Sequence, residues 1–176
     1  MLTATPAAYF ISDPPATVVT PKVYRTPELV LLEGQVDSTL DVWAFGCLIY
    51  ELLIGFPLFQ VDSSRDPDIE NDHHLLLFSD ILSPLPDHLY SFWTRSSRYY
   101  TSEGVLFNTF LEEVPEGTDL LSTRSKPLDE LFVEQRPDML DNEAKQINAL
   151  LRRILQYDPA KRPTPAELLK DPWFTG

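Results

Sequence analysis

Apolar positions are densest between Val42 and Phe59, and the spacing of apolar residues from Asp37 to Leu53 predicts a helix. At the helical period, these apolar side chains point to almost every side of the axis, which is typical of a helix buried all round. Ser38-Thr39-Leu40-Asp41 places a carboxylate three residues after a hydroxyl, which is the pattern of a capping box at the start of a helix. Gly55 and Pro57 predict its end. We therefore expect a buried central helix.

Shorter periodic segments surround this helix and predict a mainly α domain, with helices packed around the central one. Asn142–Gln156 carries its apolar residues on one face, and Asn142 can cap it. The other predicted helices are one capped by Thr26 that runs to Leu32 before Gly34, His73–Leu82, two short helices near Asp87–Trp93 and Gly104–Glu112, and a last helix from Thr164 to about Lys170. Residues 65–72 are expected to be a polar, acidic loop, and no pair of segments has the pattern of paired strands. Prolines predict an irregular lead-in over residues 1–17.

The formal net charge of −13 narrows the classes of partner. Phosphate groups would be repelled, so we expect no nucleic acid and no membrane as a partner. A protein partner or substrate fits the charge, in particular an Arg-rich one. Such a partner would meet the acidic residues Asp66, Asp68, Glu70 and Asp72. Solubility and a solvated acidic loop account for the same charges, so both interpretations stay open.

Cysteine and histidine positions argue against thiol or metal chemistry. Cys47 is the one cysteine, so no intrachain disulfide can form, and its place in the central helix predicts a buried, inert thiol. His73 and His74 are adjacent and do not share a helix face, which predicts two residues on a helix surface rather than a metal site. A lone thiol and the lack of a secretion signal or membrane-span pattern predict an intracellular protein, cytoplasmic or nuclear.

Three motifs follow one another along the chain. They are Tyr24-Arg25-Thr26-Pro27-Glu28, then Asp41-Val42-Trp43-Ala44-Phe45-Gly46, and then Asp158-Pro159-Ala160-Lys161-Arg162-Pro163-Thr164 with Asp171-Pro172-Trp173-Phe174 after it. In this order they resemble the Ala-Pro-Glu, Asp-x-Trp-x-x-Gly and Asp-Pro-x-x-Arg-Pro signatures of eukaryotic protein kinases. The chain looks most like fungal members of the SR-protein kinase group. The resemblance implies that residues 18–174 form part of the C-terminal lobe, from the end of the activation segment to the final helix.

The resemblance assigns structural roles to five residues. Glu28 and Arg162 would form a buried ion pair that clamps distant segments together, because guanidinium and carboxylate match in two parallel hydrogen bonds. Asp41, Trp43 and Gly46 would anchor the central helix. Of these, Asp41 either accepts backbone N–H groups of the catalytic loop or only caps its own helix, whereas Trp43 and Gly46, together with Phe45, are expected in the core.

The substrate-side loop of the family corresponds to Thr20, Tyr24 and Arg25. Pro21 stands where the family usually has a threonine, which puts the alignment of a substrate in doubt.

The groups that carry kinase chemistry do not occur in the sequence. Phosphoryl transfer needs positioned phosphates, metal ions and a base. The sequence has no G-x-G-x-x-G, no lysine in a Val-Ala-Ile-Lys-like strand, no His-Arg-Asp and no Asp-Phe-Gly. We therefore predict no catalytic, cofactor-binding or metal residue in this chain, although the family uses ATP and Mg. The expected function is part of a Ser/Thr kinase domain that is inactive alone. The alternative is a non-catalytic, pseudokinase-like protein-binding module.

Overall fold

Helices account for the regular structure of the residues that the computed structural model describes, which are 20–31, 37–111, 113–114, 116–121 and 124–175. The helices are α1 Pro27–Val30, α2 Thr39–Ile54, α3 Pro67–Ile81, α4 Asp87–Tyr90, α5 Leu128–Gln135, α6 Asp141–Ile154, α7 Pro165–Leu168 and α8 Pro172–Thr175. Within these ranges no strand forms, and one isolated antiparallel bridge joins Tyr100 to Leu106. The mainly helical expectation is confirmed, and the lead-in of residues 1–17 lies outside the described residues.

α2 lies at the centre of the core. Trp43 and Cys47 on this helix are fully buried. The Trp43 ring stacks on Phe59 at 5.9 Å between centroids and meets Phe78 edge-on at 5.4 Å. Such aromatic contacts add to the free energy gained by burying the rings. Burial raises the pKa of the Cys47 thiol far above its ordinary value, which agrees with an inert cysteine.

One side of α2 faces solvent, so the expectation that it is buried all round is wrong. Phe45, Leu48 and Leu52 are exposed, and Leu52 keeps 76% of its surface. Phe45 was expected in the core, but it stacks on Phe174 at the surface. Helical periodicity cannot reveal this, because an apolar residue reads the same whether or not a neighbour covers it. In the described part of the chain, no helix has the length and apolar character needed to cross a membrane.

The start of α2 also differs from the predicted capping box. Ser38 already has helical angles (φ −66°, ψ −11°), and its hydroxyl makes no capping hydrogen bond. Asp37 takes this role, since its Oδ1 accepts the Thr39 amide at 2.8 Å. At the other end, Gly55 adopts φ +96° and donates its N–H to Glu51 O, which confirms it as the residue that ends the helix.

α3 begins at Pro67, so the acidic loop predicted for residues 65–72 is wrong over most of its length. Asp66 Oδ1 accepts the Asp68 amide at 2.9 Å, and Pro67 occupies the first helical position. Acidic residues suit this first turn because of the helix dipole. The signals of a helix start were present in the sequence, but Ile69 alone is too little apolar sequence to show a helical period.

Other boundaries were predicted with mixed success. Thr26 caps α1 and Thr164 caps α7 as expected, whereas Leu32 and Gly34 lie outside the described residues. α6 begins at Asp141 without a side-chain cap, so the predicted role of Asn142 is wrong. The helix expected over residues 104–112 is wrong as well: Gly104 has φ +74° in a turn, and residues 105–111 are not helical. α5 was not predicted, because two buried side chains, Leu128 and Phe132, are too few to show a period.

Gly46 lets α2 and α6 approach closely. A Cβ atom built at residue 46 would lie 2.5 Å from Ile154 Cγ2 and 3.1 Å from Leu155 Cδ2. The predicted role of Gly46 as a core position of the central helix therefore has a steric cause.

We predict that Gly46→Ala destabilises the protein by about 1–2 kcal/mol. Overpacking costs about 1–3 kcal/mol, and better helix propensity returns up to about 1 kcal/mol. Ile154→Leu removes the branched methyl group that the new Cβ would meet, so it should be less harmful with Gly46→Ala than alone. Urea unfolding of the two single variants and the double variant measures this coupling. A Gly46→Ala variant as stable as the parent would contradict the steric explanation.

Candidate functional site

Glu28 and Arg162 form the predicted clamp. Arg162 Nη1 donates to Glu28 Oε1 at 2.6 Å, and Nη2 donates to Oε2 at 2.8 Å, so the pair is bidentate. Both side chains are buried. Arg162 also donates from Nε to Gln156 O at 2.9 Å and from Nη1 to Thr39 O at 3.2 Å. Its guanidinium lies 5.1 Å from the centre of the Trp43 ring. One arginine therefore joins the three sequence motifs.

Asp41 occupies the first turn of α2 and is exposed. It makes no side-chain hydrogen bond or ion pair with the residues that the structure describes, and the predicted capping bond to Ser38 is absent. The capping interpretation of Asp41 is therefore wrong. Its role toward a catalytic loop stays a prediction.

The predicted substrate-side residues lie in one segment held between α2 and α3. Tyr24 OH donates to Glu51 Oε2 on α2 at 2.7 Å, and this bond to a carboxylate raises the pKa of Tyr24 to about 12. Thr20 and Arg25 are half-buried. Of the three predicted residues, Tyr24 is the one fastened to the central helix by its side chain.

α3 holds the same segment through residues that sequence reasoning missed. His74 Nε2 lies 2.8 Å from Lys22 O, and Nδ1 lies 3.2 Å from Glu70 O. The Lys22 ammonium forms an ion pair with Glu70, whose Oε1 also accepts the Ser64 amide at 2.9 Å. Glu70 and His74 are one turn apart on α3 and so share a face. That spacing was the available signal, once the helix was known to include Glu70.

His74 is fully buried, so its predicted surface position is wrong. Burial lowers the pKa of His74 to about 4, against the weaker opposite effect of its two carbonyl neighbours. The imidazole is therefore neutral near pH 7 and has one N–H, which we assign to the shorter contact with Lys22 O. His73 is half-buried and faces Asp62 at 3.9 Å. No group of three His, Cys, Asp or Glu side chains suitable for a metal occurs in the described ranges.

Asp72 gathers two hydrogen-bond donors and one cation at the buried side of α3. Its Oδ1 accepts Trp93 Nε1 at 2.6 Å, and its Oδ2 accepts Tyr99 OH at 2.8 Å and lies 2.8 Å from Arg95 Nε. Asp72 is almost fully buried. The solvated-loop interpretation is therefore wrong for Asp72. It is wrong for Glu70 as well, which is buried and paired with Lys22. Asp66 and Asp68 cap and begin α3 rather than lie in a loop, but their carboxylates stay solvent-accessible beside Arg95.

A groove of about 310 Å³ lies between α3 and the segments that hold residues 109–111 and Ser125. Leu76 and Leu77 contribute apolar surface, and Asp62 and Asp80 contribute carboxylates. Asp80 is neutralised by Arg124 at 3.0 Å, whereas the Asp62 side chain is 91% exposed. Asp62 beside His73, and Asp66 and Asp68 at the N-terminal end of α3, are solvent-accessible carboxylates, and the last two lie beside Arg95.

The family model for the protein kinase domain matches residues 7–174. The chain belongs to the protein kinase domain family. The clamp described above is thus the junction of three kinase motifs within a kinase fold.

Curated relatives place this kinase chain near one group. It is 35% identical over 159 residues to mouse dual specificity protein kinase CLK1, covering 90% of this chain and 29% of the relative. It is 30% identical over 170 residues to Schizosaccharomyces pombe dual specificity protein kinase lkh1, covering 96% of this chain and 23% of the relative. Arabidopsis thaliana serine/threonine-protein kinase AFC3 is 32% identical over 160 residues. The predicted likeness to SR-protein kinase-type enzymes, including a fungal one, is confirmed. The chain spans about a quarter to a third of the length of these relatives.

In this kinase chain we predict that stability falls as pH falls from about 6.5 to about 4. In that window the unfolded chain binds a proton at residue 74 that the folded chain excludes, since burial holds the folded pKa of His74 near 4. The contribution is fully present above pH 6.5. His74→Gln should flatten the pH dependence of the urea midpoint between pH 7 and pH 5. His88→Gln on the exposed surface is the control, and equal slopes in both variants would contradict the assignment.

Proposed function

We propose that this chain is the substrate-side part of the large lobe of a Ser/Thr protein kinase of the CLK and SR-protein kinase type, and that it transfers no phosphate by itself. The bidentate contact between Glu28 and Arg162 is the observation that carries the proposal, because it joins the end of the activation segment to the last helices. The family activity is ATP-dependent phosphorylation of protein Ser/Thr.

The residues present do not fit ATP or Mg. Cradling a nucleotide requires a glycine-rich loop and a positioned lysine, and holding Mg requires paired oxygen ligands. The sequence contains none of the motifs that provide them, and no suitable ligand cluster occurs among the residues described. Without these groups, the charge that develops on the transferring phosphoryl group is not stabilised.

A nucleotide-binding assay tests this part of the proposal. We expect a fluorescent ATP analogue with Mg to show no saturable binding to the purified chain, and an Arg-Ser repeat peptide to remain unphosphorylated. Full-length mouse CLK1, measured in parallel, is the positive control. Saturable binding that unlabelled ATP displaces would overturn the inactive assignment.

We further propose that this chain binds an Arg-rich protein segment through exposed carboxylates near α3. Three exposed carboxylates support this proposal, that of Asp62 beside His73 and those of Asp66 and Asp68 at the start of α3. Arginine suits such a surface because its guanidinium pairs with carboxylates while its stem covers apolar groups such as those in the adjacent groove.

Peptide binding tests this partner. An Arg-Ser repeat peptide should bind with an affinity that falls as salt rises, because the attraction between exposed charges is screened. The triple variant D62N, D66N, D68N should bind several-fold more weakly, and asparagine at residue 66 can still cap α3. The matched control neutralises three other carboxylates, Asp87, Glu103 and Asp129. Equal loss in both variants would indicate net charge alone and would reject this surface.

A non-catalytic protein-binding module inside the cell is the second candidate function. It is favoured by the combination of an intact buried clamp with the exposed apolar face of α2. A partner that binds the purified chain without any nucleotide would support it over a role confined to a catalytic domain.

A further inference from the structure

Ser83 lies in the short loop between α3 and α4, directly before Pro84. Residues 83–86 are not helical, and Pro86 is extended, with φ −61° and ψ 147°. Proline fixes its own φ and disfavours helical angles in the residue before it, which keeps Ser83 and its neighbours extended. Ser83 is exposed, and its hydroxyl makes no hydrogen bond with any residue that the structure describes. The loop therefore presents a free hydroxyl to solvent.

Four Ser-Pro or Thr-Pro pairs lie among the described residues, and they differ in accessibility. Thr26 is only 1% exposed. Thr164 is exposed, but its hydroxyl takes part in the capping box of α7. Thr20 is half-buried. Of the four, Ser83 is the one that combines an exposed side chain with an unbonded hydroxyl.

Arg152 on α6 lies beside the same loop. Its Nη1 donates to Leu82 O at 3.2 Å, and that oxygen belongs to the peptide bond that joins Leu82 to Ser83. The Tyr157 hydroxyl donates to Ser83 O at 2.7 Å. Both backbone oxygens next to the serine side chain are thus held by α6 and the segment that follows it. A phosphate on Ser83 would be attached to backbone that already contacts a guanidinium.

Arg152 is available for such a phosphate. Its side chain is 41% exposed, and it pairs with Asp129 on α5 through Nε to Oδ1 at 3.2 Å and Nη2 to Oδ2 at 2.8 Å. An exposed pair of this kind is weak. A phosphoserine carries a charge of about −1.5 to −2 near pH 7 and has three acceptor oxygens, so it competes well with one carboxylate for an arginine. Asp80 and Asp87 flank the loop and oppose the phosphate, but Asp80 is already paired with Arg124.

We propose that Ser83 is a phosphorylation site for a separate, proline-directed protein kinase, and that Arg152 binds the phosphate in place of Asp129. Kinases of this class accept a proline, which has no backbone N–H, directly after the acceptor hydroxyl. The phosphate would bind the loop more firmly to α6 and release α5 from Arg152.

The modification is an ordinary phosphoryl transfer with ATP as the donor. Ser83 Oγ forms a bond to the γ-phosphorus, and the bond from that phosphorus to the oxygen shared with the β-phosphate breaks. ADP leaves, and the hydroxyl proton passes to the base of the modifying kinase. This chain is only the acceptor, so its own lack of nucleotide-binding groups does not affect the reaction.

Phosphate incorporation tests the site. The intact chain and a peptide of residues 78–90 are incubated separately with ATP and a purified MAP kinase, as a representative of the class, and the products are mapped by mass spectrometry. We expect Ser83 to carry a phosphate in both. Pro84→Ala keeps the hydroxyl and should lower incorporation several-fold. Pro86→Ala leaves the Ser-Pro pair intact and is the matched control.

Phosphorus NMR of the modified chain tests the role of Arg152. A nearby guanidinium favours the doubly charged phosphate. The second pKa of phosphoserine, ordinarily about 6, should therefore be lower in the parent than in Arg152→Gln. Lys145→Gln removes an exposed cation from the same helix and is the control. Loss of folding alone would give both variants the pKa of the phosphorylated peptide.

Four results would overturn the proposal. Phosphate on the peptide but not on the folded chain would show that the loop is closed to a kinase. No phosphate on either would exclude this class of kinase, and incorporation at Thr20 or Thr164 in place of Ser83 would assign the site elsewhere. Equal phosphate pKa values in Arg152→Gln and Lys145→Gln would remove Arg152 as the group that binds the phosphate.

Discussion

Replacing Arg162 with alanine is expected to destabilise the fold by about 3–5 kcal/mol, because it leaves the Glu28 carboxylate buried without its partner. The substitution also removes donors to two carbonyl groups, Gln156 O and Thr39 O, and uncovers the face of Trp43. A domain of this kind is usually stable by only about 5–15 kcal/mol. Urea unfolding followed by tryptophan fluorescence measures the loss, and much of the variant should be unfolded at temperatures the parent tolerates.

A double-mutant cycle isolates the clamp from those other contacts. Glu28→Gln alone should be destabilising, and its effect should largely disappear when Arg162 is already alanine. Lys126→Ala, which breaks an exposed pair with Glu134, is the control and should cost less than about 1 kcal/mol. Additive effects of the two clamp substitutions would show that the contact between Glu28 and Arg162 contributes little.

Replacing Asp72 with alanine is expected to cost about 3 kcal/mol. It would leave the Trp93 indole N–H and the Tyr99 hydroxyl without their acceptor and would remove the closest anion from Arg95. Buried donors left unsatisfied each cost about 1–3 kcal/mol. Arg95 is partly exposed and keeps Asp66 and Asp68 nearby. The total loss of stability should therefore lie at the lower end of the range for a broken buried ion pair.

The conservative variant distinguishes charge from hydrogen bonding. Asp72→Asn keeps one acceptor oxygen and should be destabilised less than the alanine variant. Asp68→Asn changes an exposed carboxylate on the same helix and should alter the free energy of unfolding by at most about 0.5 kcal/mol. If the two asparagine variants behaved alike, the buried network around Asp72 would not be a significant source of stability.

The two expected losses differ in how far sequence reasoning could foresee them. Glu28 and Arg162 lie in motifs that indicate their roles, so the clamp was predicted. In the structure, both carboxylate oxygens of Glu28 accept hydrogen bonds from Arg162. Asp72 lies in no motif. It looked like one acid of a charged loop, and its two hydrogen-bond donors and its cation come from residues 21, 27 and 23 positions further along the chain.

The burial of His74 and the exposure of one side of α2 were also not foreseeable from the sequence. His74 is buried because Lys22 and its neighbours fold over α3, which adjacent residues in the sequence do not reveal. Phe45 and Leu48 are exposed because nothing in the described chain covers that side of α2. Periodicity reports which faces are apolar, but the presence of a covering element is a tertiary property.

By itself, the sequence determined the helical class, the central position of α2, the caps at Thr26 and Thr164, and the kinase motifs with their clamp. These features depend on local chemistry, or on short motifs that identify both of the interacting residues. The tertiary structure alone decided the burial of Asp72 and His74, the contacts that hold the substrate-side segment on α3, and the exposure of one side of α2. Each of these depends on which distant segment lies beside a side chain. That segment determines whether the side chain is buried and whether its polar groups find hydrogen-bond partners.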